Sequence, residues 1–153
     1  MRINGHGHIL PEPSQIPKFM KEKKLFWIDK DKKFMKQGDW SRPISGPGFF
    51  LKDKIQWMNQ HKIDHAVMLC LSQLYCNGWQ KQDCIDGIRF QNNFNASVQS
   101  DYPEKFTSGF VVQPLYMDHA LKEIDRCVNN LGLKLICLPT HFLNSKGEWL
   151  SVA

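Results

Sequence analysis

Apolar and polar positions follow two periods along this chain, and from Asp64 onward they alternate regularly. "DHAVMLCL" (64–71), "FTSGFVVQP" (106–114) and "LKLICLPT" (133–140) are near-continuous apolar runs, as strands buried on both faces of a parallel sheet are. Between them lie segments whose apolar residues recur at helical spacing. In residues 83–103 the expected stripe is Ile85, Ile88, Phe94 and Val98, with Pro103 as the stop. In 117–132 it is Ala120, Leu121, Ile124, Cys127, Val128 and Leu131, with Gly132 at the end. Phe50, Ile55, Trp57 and Met58 predict an earlier helix from Phe49 to about Lys62. The start, "RINGHGHI", reads as a short strand. Residues 11–24 carry Pro11, Pro13 and Pro17 and read as loop with at most a short helix. "KLFWIDKDKKFMKQ" predicts a hairpin about "DKDK", "GDWSRPISGPGFF" a loop, and the tail "HFLNSKGEWLSVA" a loop-like end.

The predicted order is β-(insertion)-α-β-α-β-α-β. Strand–helix alternation with apolar strands implies a parallel sheet with right-handed crossovers. The expected fold class is α/β: the N-terminal half of a (β/α)8 TIM-type barrel, with a small hairpin and loop insertion after strand 1, over about residues 11–48. A complete barrel of that kind takes about 250 residues. The 153 residues therefore read as one partial domain, a fragment, without repeats or low-complexity tracts.

Composition narrows the function classes. With 42% hydrophobic and 23% charged residues the chain can pack a core, which excludes wholesale disorder. The net charge of +5 comes largely from lysines in "KFMKEKKLFWIDKDKKFMK", where apolar residues and aspartates interrupt them. Positive charge suits nucleic acid, a membrane surface or anionic small molecules alike, but this is no smooth basic stripe and no nucleic-acid motif accompanies it, so the stretch reads as a solvated surface. The five cysteines, Cys70, Cys76, Cys84, Cys127 and Cys137, form no CxxC or other zinc spacing and read as buried thiols of a reducing compartment. No stretch resembles a signal peptide, and no apolar run approaches the roughly 20 residues that cross a bilayer. A cytoplasmic protein without membrane contact is expected.

The chemistry lies at the end of the first strand. Residues i and i+2 of a strand point to one face, so His6 and His8 aim their imidazoles the same way. Gly5 and Gly7 remove side chains from the opposite face. Two co-directed neutral imidazoles suit zinc or a similar divalent ion. HxH pairs are common by chance, but this one ends the first strand of an expected barrel, where barrel enzymes place their chemistry.

"INGHGHILPEP" resembles the opening strand of the amidohydrolase superfamily, whose barrels carry an HxH metal pair there. "KIDHAVMLCLSQLY", "RFQNNFNASVQSDYPEKFTSGFVVQP", "EIDRCVNNLGLKLICLPTHF" and "KGEW" are similar to the aminocarboxymuconate-semialdehyde decarboxylase family, over nearly the whole chain. The resemblance implies metal-dependent, oxygen-independent removal of a carboxylate from 2-amino-3-carboxymuconate 6-semialdehyde, in the breakdown of tryptophan or 2-nitrobenzoate, with a zinc-held hydroxide as nucleophile. It implies His6 and His8 as the first two zinc ligands. The other ligands, a histidine after strand five and an aspartate after strand eight, and a catalytic histidine after strand six, would lie past residue 153. No catalytic residue is then expected within these residues, and the fragment alone is expected to be inactive. Related enzymes are dimers, so the resemblance also implies a homodimer at full length.

Arg42 falls where the family has an arginine gripping a substrate carboxylate, which a guanidinium does bidentately. Without the resemblance it reads as a surface loop arginine. Trp40, in the same loop, and His141, after the fourth strand, are further pocket candidates, each equally readable as structural. His61, His65 and His119 read as exposed or capping residues. Three other readings stand beside the decarboxylase: another reaction on the same scaffold, such as hydroxybenzoate decarboxylation or hydrolysis; a non-catalytic α/β binding module; and, least favoured, nucleic-acid binding by the lysines, which would show a steep salt dependence.

Overall fold

A computed structural model of the chain describes residues 1–46, 48–144 and 146–151. Pro47, in the expected loop before the first long helix, and Ser145, Val152 and Ala153, in the expected tail, lie outside the described residues. In chain order the elements are β1 (Ile3–Gly7), α1 (Lys18–Glu22), β2 (Trp27–Ile28), β3 (Phe34–Gln37), β4 (Trp40–Pro43), α2 (Leu51–Gln60) and β5 (His65–Met68). They continue with α3 (Lys81–Asp101), β6 (Phe106–Val111), α4 (Met117–Asp125), β7 (Leu135–Cys137), β8 (His141–Leu143) and β9 (Trp149–Ser151).

β1, β5, β6 and β7 form one sheet in that order, and every pairing is parallel. This is the α/β architecture with a parallel sheet that the alternating pattern predicts. α2 packs on the sheet through Met58 against Ala66, Met68 and Phe106. Ala96 on α3 and Ala120 on α4 join Phe110, Val112, Cys127 and Leu133 in a second layer. Gly132, at φ +67°, follows the helical residues as expected, and Leu133 N–H then closes onto Cys127 O at 2.9 Å.

The expected hairpin is present as β2 and β3, but a third antiparallel strand, β4, replaces part of the expected loop. All four β4 residues are exposed, so no apolar alternation announces the strand. The tail also differs from its expected loop-like form. β8 and β9 pair antiparallel about a turn in which the Asn144 side chain accepts from the backbone of Lys146 and Glu148, each at 2.9 Å. Among the described residues no helix is long and apolar enough to cross a membrane.

The long helices bury the expected stripes in part. Along α4 and the residues that follow it, Leu121 is 57% exposed and Val128 44%, while Ala120 and Cys127 are buried as expected, with Ile124 and Leu131 packed against them. Residues Arg126–Asn130 wind as a π-helical turn, which changes the phase of the stripe. In α3, Ile88 and Val98 are buried, but Ile85 and Phe94 only partly. Gln91, Asn92 and Asn95 share the buried face with them.

The cause is a stagger of strand ends. β5 pairs with β6 only as far as Met68↔Ser108, so Gly109 and Val111 lie past its end. Buried backbone groups need partners. Asn95 Nδ2 donates to Gly109 O at 2.7 Å. Asn92 Nδ2 donates to Val111 O and Val111 N–H donates to Asn92 Oδ1, both at 2.9 Å. Two asparagines one helical turn apart thus stand in for the missing strand.

Candidate metal centre

β1 is irregular where the histidines begin. Asn4 pairs with Ala66 and Gly7 with Met68, so the register slips across the segment containing His6. His6 N–H donates to Asn4 Oδ1 at 3.1 Å within the slip. Gly7 is buried, and a Cβ there would stand 3.1 Å from Met68 Cε and 3.5 Å from Lys54 Nζ. Gly5 faces open space. Close approach therefore applies to Gly7 and not to Gly5, because only Gly7 lies under α2.

The two imidazoles converge. His6 Nε2 and His8 Nε2 are 3.2 Å apart, with the rings edge to face at 86°. Nitrogens each about 2.1 Å from one ion, at 90–109° to one another, stand about 3.0–3.4 Å apart. The pair fits adjacent coordination positions. His8 Nδ1 lies 3.1 Å from Leu69 O. A carbonyl only accepts, so Nδ1 carries the proton and Nε2 keeps its lone pair. Burial lowers the His8 pKa below its usual value. The Leu69 hydrogen bond opposes that shift, and the charges of His6, Lys54 and Arg42 add to it. The neutral, ligating form is favoured.

The insertion brings cations to this point. Leu10 N–H donates to Phe49 O at 2.7 Å, and Leu10 and Phe50 form a parallel bridge that ties the end of the insertion to the chain just after His8. Arg42 is exposed on β4 opposite Met35, and its charge reaches His8. Lys54, on α2, is 7% exposed and lies over the Trp57 ring at 5.3 Å. The sequence reading missed Lys54. Its signal was its place one turn before Met58 on the inward line of α2.

No family model matches the chain. It is 26% identical over 141 residues to 2-amino-3-carboxymuconate-6-semialdehyde decarboxylase of Dictyostelium discoideum, a match covering 87% of this chain and 38% of that protein. The 5-carboxyvanillate decarboxylase of Novosphingobium aromaticivorans, solved with manganese and a nitrobenzoic acid, superposes with a TM-score of 0.68 at 19% identity over 93% of this chain and 42% of its own. The 2,6-dihydroxybenzoate decarboxylase from Rhizobium gives 0.65 at 17% identity over 96% of this chain and 41% of its own. The chain thus shares its fold with these decarboxylases. It spans about two fifths of the length of the relatives it matches.

Among the described residues, no group of three or more His, Cys, Asp or Glu side chains could hold a metal ion. The donor set is the His6–His8 pair. Trp40 is 42% exposed at the start of β4, opposite Gln37. His141 is exposed on β8, its Nδ1 3.2 Å from Thr140 Oγ1. No hydrogen bond joins Trp40 or His141 to the pair. The five cysteines are free and buried.

Proposed function

We propose that this chain is the first half of an eight-stranded (β/α) barrel and supplies the first two ligands, His6 and His8, of a divalent-metal centre in a decarboxylase of small carboxylates. The observation that carries the reading is the convergence of the two Nε2 atoms at 3.2 Å with the His8 tautomer fixed by Leu69 O. Such an ion, when bound, makes water a competent nucleophile near neutral pH and polarises substrate oxygens. This chain's residues do the rest of what is proposed here. The His8–Leu69 bond orients one ligand, and the exposed Arg42 guanidinium forks onto a substrate carboxylate. Arg42 and Lys54 together make the rim positive, which draws anionic substrates. Trp40 and His141 are lesser candidates for the pocket wall.

Zinc is our first choice of metal, and 2-amino-3-carboxymuconate 6-semialdehyde of substrate, since the relative from Dictyostelium discoideum carries that activity in its name. Manganese and a hydroxybenzoate form the second reading, favoured by the neighbours in fold. The full-length protein would supply the remaining ligands and the proton-transferring group, and would act as a homodimer.

The test is turnover by the full-length protein loaded with zinc or with manganese, following the absorbance of the semialdehyde and of 2,6-dihydroxybenzoate. His6→Ala and His8→Ala variants run beside it. Decarboxylation of one substrate by the parent and of neither by the variants supports the reading. Unchanged turnover in both variants refutes the metal pair, and no turnover of either substrate refutes the activity.

A further inference from the structure

We infer a second binding site, remote from the histidine pair, for a small aromatic carboxylate between α3 and α4. Residues of the two helices line a cavity of about 160 Å³. A cavity of roughly 150 Å³ lined by apolar side chains accepts a benzene ring. Its floor is apolar: Ile85 and Ile88 from α3, Val112 after β6, and Ala120 from α4.

The rim is basic, with Arg89 and Lys122 as its cations. Arg89, His119 and Lys122 all line the cavity, and no acceptor pairs with them among the described residues. Lys81 adds a fourth base, lying over the ring of the lining residue Tyr116 at 5.7 Å. The lining carboxylate is Glu123, and it is already committed. Arg126 Nη2 donates to its Oε1 at 2.6 Å and Arg126 Nε to its Oε2 at 2.9 Å, while Asn92 Nδ2 donates to Oε1 at 2.8 Å. The Arg126–Glu123 pair is therefore internally neutral, and the free charge about the cavity is positive. A ring-sized apolar floor beneath unpaired cations selects a flat apolar body with one anionic head. A guanidinium at the rim favours carboxylate through paired N–H donors. Neutral aromatics gain the floor alone.

The probe is benzoate, with benzamide as its uncharged counterpart. Methyl NMR on the intact protein follows Ile85, Ile88, Val112 and Ala120 during titration. The expected result is saturable shifts at these methyls with benzoate, half-complete near about 1 mM, and binding at least about tenfold weaker for benzamide. Arg89→Gln/Lys122→Gln should weaken benzoate by about tenfold or more, and Ala120→Leu, which fills the floor, should abolish the shifts. His6→Ala/His8→Ala should leave them intact, which separates this site from any aromatic carboxylate bound at the metal pair. Ala120→Leu alters a buried position, so the exposed charge variant carries the decision if the filled variant fails to fold. Absence of saturable shifts, equal binding of benzamide, or undiminished binding by the charge variant overturns the site.

Discussion

Asn92→Ala is the sharpest test of how α3 is attached to the sheet. Asn92 is fully buried and makes three hydrogen bonds: two to the Val111 backbone and one to Glu123 Oε1. Alanine removes all three. Val111 is itself fully buried, so its N–H and C=O lose their partners where water is excluded. Each buried group left unsatisfied costs about 1–3 kcal/mol. Glu123 keeps its two bonds from Arg126, so its loss is the smaller part. The expected destabilisation is about 3–4 kcal/mol, a large share of the roughly 5–15 kcal/mol that holds a domain together. In urea that shifts the midpoint down by about 2 M for a slope of 1–3 kcal/mol/M.

Two companions separate hydrogen bonding from packing. Asn92→Leu keeps the number and branching of side-chain heavy atoms without bonding, so it should cost at least as much as alanine. Asn93→Ala removes one exposed bond to Arg126 and should cost under about 1 kcal/mol. A loss below about 1 kcal/mol for Asn92→Ala, or recovery of stability in Asn92→Leu, refutes the reasoning.

Replacing either histidine of the pair by alanine should weaken divalent-metal binding of the full-length protein beyond the 10–100-fold that loss of an outer partner costs, read by chelator competition; an unchanged affinity removes the pair from the site. Long-range nitrogen NMR should find His8 of the metal-free protein titrating below the usual histidine value, with the proton of its neutral form on Nδ1, and an Nε2–H tautomer would contradict the Leu69 bond. Gly109→Ala would set a Cβ 2.7 Å from Cys137 Sγ and 3.3 Å from Leu135 O, and should cost about 1–3 kcal/mol, partly regained on adding Cys137→Ala; a neutral alanine would show that the strands yield. Burial pushes the Glu123 carboxyl up, but hydrogen bonds from Arg126 and Asn92 outweigh it and hold the carboxyl below its usual value. Its stabilising contribution is therefore complete above the unfolded pKa and disappears as pH falls through the lower, folded one, so the stability gap between parent and Glu123→Gln should close in acid; a gap that widens there contradicts the assignment.

The parallel strands and long helices were legible because a buried strand must be apolar throughout and a packed helix along one stripe. The histidine pair was legible as a pair because residues two apart on an extended chain share a face, but the slip across His6 and the Leu69 bond that set their geometry were not. β4 was not: Trp40, Ser41, Arg42 and Pro43 are all exposed, and the strand exists through its pairing to β3. The tail hairpin depends on the Asn144 side chain closing its turn, a local bond that no hydrophobic pattern reports. Asn92 and Asn95 read as polar surface until the length of β5 is known. Lys54 looked like any lysine on a helix, although its register with Met58 put it inward.

Those asparagines and the metal pair answer to one geometric fact. β5 stops at Met68, short of β6, and frees backbone groups on both sides of its end. On the β6 side, Asn92 and Asn95 satisfy them with amides, which bond in both directions and carry no charge into the core. On the β1 side the chain continues one residue, so that Leu69 N–H donates to Gly7 O at 2.8 Å. The Leu69 carbonyl is then presented to His8, which accepts the role of donor through Nδ1 and so turns Nε2 toward His6. A longer β5 would engage that carbonyl in a strand ladder and leave the His8 tautomer undetermined. The short strand thus costs the core two buried asparagines and gives the site a ligand of fixed orientation, which is why a polar stripe inside α3 and an imidazole pair on β1 belong to the same piece of design.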